Sequence, residues 1–212
     1  LLALDEEHSL LLSLKRIEEN WQLVSNVAVP RYTCRLAVDP HGGHCYVASL
    51  WGQTLTKFSV STPESSAKRI SELRLDFEPQ HLCFMQDSNH LVIASAFDAR
   101  LAIVKLADFT VISSHTLRGH NIGGLAISKD GKLLWTMQEL SALAHSTKDD
   151  IHWGNMISNV LVEVPLAELL DEQRFTDDKL LKWQLGEPGD AAAAGARRER
   201  RAGHREVPRR LD

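Results

Sequence analysis

Three stretches of the chain share one order of apolar and polar positions and align without a gap. Each begins with apolar residues at alternate positions, continues with a short turn containing Gly, Asn or Asp, and closes with a second apolar run. The stretches are LAVDPHGGHCYVAS at residues 36–49, LCFMQDSNHLVIAS at 82–95 and LAISKDGKLLWTMQ at 125–138. Alternation marks a strand with one buried face, and a turn of this composition joins two antiparallel strands. The pattern therefore predicts three β-hairpins.

The hairpins recur at a nearly constant interval, and other strand-like segments fill the gaps between them. The interval is 46 residues and then 43, and a shorter match at residues 2–13 predicts a fourth hairpin. The additional segments lie at residues 55–60, 69–75, 100–106, 110–117, 159–166 and 179–185. Four short strands in about 45 residues are typical of a β-propeller blade. We predict an all-β fold, a partial β-propeller of about four four-stranded antiparallel blades within residues 1–185.

The alternating apolar residues of the first strand in each hairpin are the predicted core. They are Leu36, Val38, Leu82, Phe84, Leu125 and Ile127. Because a blade cannot bury both faces alone, we expect these side chains to be deeply buried between successive sheets. Cys45 and Cys83 are predicted to pack as small apolar residues, without a redox role. The three cysteines of the chain have no CxxC spacing, so no disulfide framework is predicted.

Charge divides the chain into an acidic body and a basic end. The chain has 24 basic and 28 acidic residues, and seven of the arginines and three of the acids lie in residues 191–212. Residues 1–190 therefore keep 17 basic and 25 acidic residues, a net charge of −8, which argues against a nucleic-acid surface. Residues 186–212 are rich in Ala and Arg, so we expect a low-complexity tail that is disordered, helical or read out of frame.

One segment departs from the repeat and concentrates polar side chains. Residues 141–155 form a longer connection than the turns at equivalent positions. Its notable residues are His145, Asp149, Asp150, His152 and Trp153. A divalent metal site is one hypothesis, because His and Asp are suitable ligands, and a structural or partner-facing loop is the favoured one. We expect the connection at residues 119–121 to contact this loop, so His120 and Asn121 complete the candidate docking site.

Two histidine pairs outside that loop have spacings that do not favour a metal site. His41 and His44 belong to a hairpin turn in which Gly supplies positive φ angles. His115 and His120 are five residues apart, whereas paired zinc ligands on one helix face are four apart. The sequence thus assigns no catalytic, cofactor-binding or metal-binding residue.

Several motifs of the chain resemble a known family. The strands YVAS, VIAS and WTMQ, the last preceded by SKDGKLLWT, are similar to the bacterial YVTN-type β-propeller repeat, a WD-like repeat. Residues 119–170 are more specific: GHNIGGLAISKDGKLLWTMQ and LAHSTKDDIHWGNMISNVLVEVPLAELLD resemble YVTN-type propellers that precede a c-type cytochrome or di-haem peroxidase-like module. The resemblance covers roughly residues 1–194. Such propellers usually have seven blades, so the resemblance implies that this chain is a fragment of about four blades.

The resemblance implies a function in electron transfer. It implies an exported, periplasmic protein in which the propeller is a non-catalytic platform that positions or docks a cytochrome c domain or protein. The chain contains no CxxCH motif, so haem c would belong to a downstream module and we expect no cofactor in this chain. A lactonase-like propeller hydrolase, with acidic and His residues at the channel mouth, is the alternative. No nucleic-acid partner and no transmembrane segment are expected, and the oligomeric state stays open.

Overall fold

The computed structural model describes residues 1–60, 67–140, 157–172, 175–176 and 179–185. The strands of this part are β1 (Leu2–Asp5), β2 (Leu10–Ile17), β3 (Asn20–Ala28), β4 (Thr33–Val38), β5 (Gly43–Ser49), β6 (Thr54–Val60), β7 (Lys68–Arg74), β8 (Pro79–Phe84), β9 (His90–Ser95), β10 (Asp98–Lys105), β11 (Thr110–Ile127), β12 (Lys132–Leu140), β13 (Ile157–Pro165) and β14 (Leu181–Leu185). A short helix, α1 (Leu166–Leu169), follows Pro165. The candidate loop at 141–155 and the tail at 186–212 lie outside the described residues.

The fold is all-β and is that of a partial β-propeller, as the repeat predicts. By its contacts the chain divides into two compact units, Leu1–Ala96 with Val104–Val111 and Phe97–Ile103 with the residues from Ile112 onward. The first unit contains a three-stranded sheet, β1-β2-β3, and a four-stranded sheet, β4-β5-β6-β7. In the second unit β11, β12, β13 and β14 follow one another in the same way. In each of these sheets, strands that are neighbours in the sheet are therefore also neighbours along the chain.

All four predicted hairpins are present as antiparallel strand pairs, β1–β2, β4–β5, β8–β9 and β11–β12. In the hairpin β11–β12, the strand register differs by one residue from the register that the gapless alignment predicts. Leu36 stands opposite Val47 and Leu82 opposite Ile93, but Leu125 stands opposite Trp135 and not opposite the aligned Thr136. The physical reason is the turn between β11 and β12, which is one residue shorter and is closed by a Ser128 N–H that donates to Lys132 O at 2.9 Å.

The core of the first unit lies on both faces of strand β5. Cys45 and Val47 point to one face and belong to a buried apolar cluster with Leu11 of β2. Tyr46 points to the other face, where its ring meets Phe84 edge-on at a centroid distance of 5.7 Å. Residues 45–49 are each at most 1% exposed. Five consecutive buried residues in a strand mean that sheets or turns cover both of its faces.

The predicted core is wrong in its placement, because the first strands of the hairpins are less buried than the second. Leu36, Leu82, Phe84, Leu125 and Ile127 are only half-buried, and Val38 is exposed. β4 and β8 each lie at one end of the strand order of their sheet and pair with one neighbour, so part of each side chain stays in water. The second strands β5, β9 and β12 carry the deeply buried residues in their place.

The hairpin at residues 2–13 does not occupy the position that the alignment gives it. Val29, the residue after β3, donates its N–H to Ser9 O at 3.0 Å, and Leu75, the residue after β7, donates to Gln53 O at 2.8 Å. Ser9 and Gln53 both end four-residue turns and both have positive φ, 56° and 51°. Gln53 lies between β5 and β6, so β1 and β2 correspond to the second and third strands of a blade and not to the first and second.

We predict that truncation in a second strand is more costly than truncation in its hairpin partner. Leu91 in β9 is 0% exposed, whereas Leu82 in β8 is half-buried. Leu91→Ala should lower the free energy of unfolding by about 2–5 kcal/mol, and Leu82→Ala by clearly less, because the edge position leaves a smaller cavity. Urea denaturation of the two variants measures both values. Equal losses would contradict this description of the core.

Candidate functional site

Strands β12 and β13 carry the candidate docking segment between them. β12 ends at Leu140 and β13 begins at Ile157, and these two residues stand opposite each other in the antiparallel pair. Residues directly opposite each other share one face of a sheet. Leu140 is 72% exposed and Ile157 is 47% exposed. The strands therefore present an exposed apolar pair at the two points that the segment connects.

Five of the predicted docking residues lie within that segment. They are His145, Asp149, Asp150, His152 and Trp153, all outside the described residues. Both the docking hypothesis and the metal hypothesis for these five side chains therefore stay predictions. Among the described residues, no group of three or more His, Cys, Asp and Glu side chains could hold a metal ion.

The other two predicted residues, His120 and Asn121, lie beside the end of β12. His120 stands opposite Gln138 in the strand pair, and Asn121 Nδ2 donates a hydrogen bond to Gln138 Oε1 at 2.8 Å. The backbone N–H of Asn121 donates to Phe97 O at 3.0 Å. Its φ of 53° lies in the left-handed region, which Asn tolerates better than most residues. The connection is thus held next to the strand end by both its backbone and its side chain.

Four residues define one surface at this strand end, which we name the β12–β13 patch: Asn121, Gln138, Leu140 and Ile157. Gln138 and Leu140 alternate along β12 and so point to the same face. The patch has an apolar centre and an amide rim, a composition that suits contact with another protein surface better than bond-breaking chemistry. Sequence reasoning missed Gln138, Leu140 and Ile157. The signal for Leu140 and Ile157 was an apolar residue at each strand end beside the longest insertion, and Gln138 had no such signal.

An ion pair fixes the strand behind the patch. Glu139, between Gln138 and Leu140, is hydrogen-bonded to Lys182 Nζ of β14. The two side chains are only 19% and 18% exposed, so the pair is shielded from water more than a typical surface ion pair. We infer that this contact limits movement of β12 at the patch.

His115 has a structural role that its sequence spacing did not reveal. It is 4% exposed, and its Nε2 lies 2.8 Å from the carbonyl oxygen of Leu169, the last residue of α1. A carbonyl only accepts, so Nε2 carries the proton. Ser113 Oγ donates to the same oxygen at 2.6 Å. The two side chains together satisfy a carbonyl that the four-residue helix leaves without an internal partner. Because Nε2 of His115 carries a proton and donates this hydrogen bond, it is unsuited to bind a metal.

The cysteine thiols have the environment of packing residues. Cys45 is 0% exposed, and burial raises its pKa to about 12. Burial also raises the pKa of the half-buried Cys83 thiol. A thiol with a raised pKa carries little of the nucleophilic thiolate at neutral pH. Both residues therefore fit the packing role that the sequence predicts.

Comparison with solved structures finds propeller-type proteins. A functionally unknown protein from Desulfotomaculum acetoxidans DSM 771 superposes with a TM-score of 0.56 at 11% identity, covering 88% of this chain and 50% of that one. The dihydro-heme d1 dehydrogenase NirN, in complex with DHE, gives 0.56 at 10% identity over 89% of this chain and 40% of that one. A chain of the mitotic checkpoint complex gives 0.55 at 9% identity over 86% and 48%. At these identities the likeness shows the fold alone.

The chain spans about half the length of the Desulfotomaculum acetoxidans protein that it matches. No protein-family model matches the sequence. No curated protein matches it either. Within the described residues, no helix is both long enough and apolar enough to cross a membrane.

We predict that Gly119 is required for the connection beside the patch. Its φ is 151°, and an added Cβ would lie 2.8 Å from Gln138 O and 3.1 Å from Met137 Sδ. Gly42 is the matched control, because its φ is 75° but a Cβ added there would meet no heavy atom of the described residues within 4 Å. Gly119→Ala should lower the unfolding free energy by about 1–3 kcal/mol more than Gly42→Ala does. Urea denaturation measures the difference, and equal losses would show that the close contact at Gly119 does not matter.

Proposed function

We propose that this chain is a non-catalytic β-propeller platform that docks a c-type cytochrome domain or protein through the β12–β13 patch. The observation that carries the proposal is the exposed pair Leu140 and Ile157, 72% and 47% exposed at directly opposed strand ends. Such a pair gains free energy when a partner removes it from water, at about 25 cal/mol per Å² of apolar area. The same strand ends flank the segment with the densest polar cluster of the sequence.

The firmness of the patch supports a docking role. Asn121 and Gln138 form a side-chain hydrogen bond at its rim, and the Glu139–Lys182 pair holds the strand behind it. A surface that is already ordered loses less conformational entropy on binding than a mobile one. These contacts would therefore reduce the entropy that the patch loses when a partner binds.

Charge supports a basic partner. Residues 1–190 carry 17 basic and 25 acidic residues, a net charge of −8. A negative protein attracts a positive one over several ångströms, which raises the association rate at low ionic strength. Positively charged c-type cytochromes have the required complementarity.

The chemical class of the partner comes from the sequence resemblance at residues 119–170, which contains the patch residues and their connecting segment. One similar solved propeller is a dihydro-heme d1 dehydrogenase, which is in keeping with a haem-protein context. On this proposal the protein is exported to the periplasm, and haem c resides in the docked module and not in this chain. The propeller positions that module for electron transfer.

The proposal predicts salt-dependent binding of a soluble, positively charged c-type cytochrome. Calorimetric titration at low ionic strength should show a complex that weakens as salt rises. The double variant Leu140→Ser/Ile157→Ser should weaken binding by about tenfold or more, because it removes the apolar centre of the contact.

Ile70 supplies the matched control. It is a 51% exposed apolar residue on β7 and is not part of the patch, so Ile70→Ser removes an exposed apolar side chain comparable to that of Ile157 and should leave the affinity unchanged. Absence of any complex at low salt, or an equal loss of affinity in the Ile70→Ser control, would refute the proposed docking at the patch.

A further inference from the structure

Strands β4 and β8 lie side by side at a pair of equivalent β-bulges. The register shifts between Thr33 and Arg35 in β4, and between Pro79 and His81 in β8. Arg35 and His81 follow these bulges and are 46 residues apart, which is the interval of the repeat. Cys34, the bulged residue of β4, donates its Sγ–H to Pro79 O at 3.1 Å. A bulge redirects the side chains beside it and is frequent next to active sites, so this junction is a candidate site.

The side chain of Arg35 crosses from β4 to β8. Its Nε donates to Gln80 O at 3.1 Å, and its Nη2 lies 3.3 Å from His81 Nδ1. Because a guanidinium group only donates, Nδ1 is the acceptor and the imidazole proton is on Nε2. Two contacts from one planar group to successive residues of a neighbouring strand fix its position. A guanidinium group that is already fixed loses less conformational entropy when it binds a ligand.

The positive charge of Arg35 has no carboxylate partner within the part of the chain that the structure describes. Its polar contacts there are Gln80 O and His81 Nδ1, and neither group carries a negative charge. These contacts use one N–H of Nε and one of Nη2, so the remaining N–H groups of the fork are available for other acceptors. Arg35 is also exposed, so an acceptor in solution can reach them.

Glu6 is the carboxylate that opposes this charge locally without pairing with it. Burial raises the pKa of the Cys34 thiol, while the charge of Arg35 lowers that pKa and the charge of Glu6 raises it. Both charges therefore act on the residue beside Arg35. Glu6 is exposed and forms no ion pair with Arg35. Its negative charge should weaken the binding of an anion at Arg35, so neutralising Glu6 should strengthen it.

We propose that the Arg35 guanidinium, held between β4 and β8, is a binding site for a small oxyanion, either a phosphate group or a carboxylate group. The two outer nitrogens of the guanidinium present parallel N–H groups, which match the spacing of two oxygens on such an anion. The uncompensated charge supplies affinity, and the fixed orientation of the fork supplies specificity. This inference does not depend on the proposed docking function, because β4 and β8 contain none of the patch residues.

Titration of the isotope-labelled chain with inorganic phosphate, and separately with acetate, tests the site by nuclear magnetic resonance at constant ionic strength. We expect a saturable shift of the Arg35 Nε–H signal with at least one of the two anions. Either response supports the proposal, and the order of the two affinities distinguishes a phosphate ligand from a carboxylate ligand. The Arg35→Met variant, followed through the backbone amides of β4 and β8, should bind at least about tenfold more weakly.

Arg74 supplies the matched control, because it is an exposed arginine on β7, at the other end of the strand order that begins with β4. Arg74→Met should leave the affinity unchanged, and Glu6→Gln should raise it by about twofold or more. A gain in Glu6→Gln supports the site even if Arg35→Met does not fold. No saturable shift with either anion, or an equal loss of affinity in Arg74→Met, would overturn the proposal.

Discussion

The described structure depends on burying the second strand of a hairpin on both of its faces. In β5, Cys45 and Val47 face an apolar cluster that includes Leu11 of the three-stranded sheet, while Tyr46 faces Phe84 of β8. No single sheet can satisfy a strand of this kind, because each sheet covers only one of its faces. A sheet with an apolar second strand therefore needs a neighbour on either side, and repetition of the blade is what supplies it. Tyr46 is 1% exposed, and this burial, assisted by the charge of Asp39, raises its pKa to about 12.

The same constraint explains where the candidate docking surface lies. Because strand interiors are committed to packing, variation is confined to turns and strand ends. β12 is buried along residues 133–137 and becomes exposed only towards Leu140, where the longest insertion of the sequence begins. Asn121, Gln138 and Glu139 hold this end in place through hydrogen bonds and an ion pair. A surface of this kind combines a rigid support with freedom to vary in sequence.

The sequence was sufficient to predict the strands, the hairpins and the class of fold, because alternation and turn composition are local properties. It was not sufficient to predict which strand of each hairpin is buried, since Leu82 and Leu91 are equally apolar and only strand order separates them. It also missed the shorter turn at Ser128 and the place of β1 in its sheet, because both depend on pairing partners rather than on composition. At the candidate site, His120 and Asn121 were foreseen, but Gln138, Leu140 and Ile157 needed the register of β12 with β13.

The central claim, that water is excluded from β5, is tested most directly at Cys45 by thiol labelling of the native chain. Cys45 is 0% exposed in β5, whereas Cys34 and Cys83 are half-buried in β4 and β8. A pulse of an alkylating reagent at neutral pH, followed by peptide mapping, reports all three thiols without any mutation. We expect Cys45 to react at least about tenfold more slowly than the other two and to become reactive only as urea unfolds the chain. Modification of Cys45 in the native chain as fast as that of Cys34 and Cys83 would contradict the account.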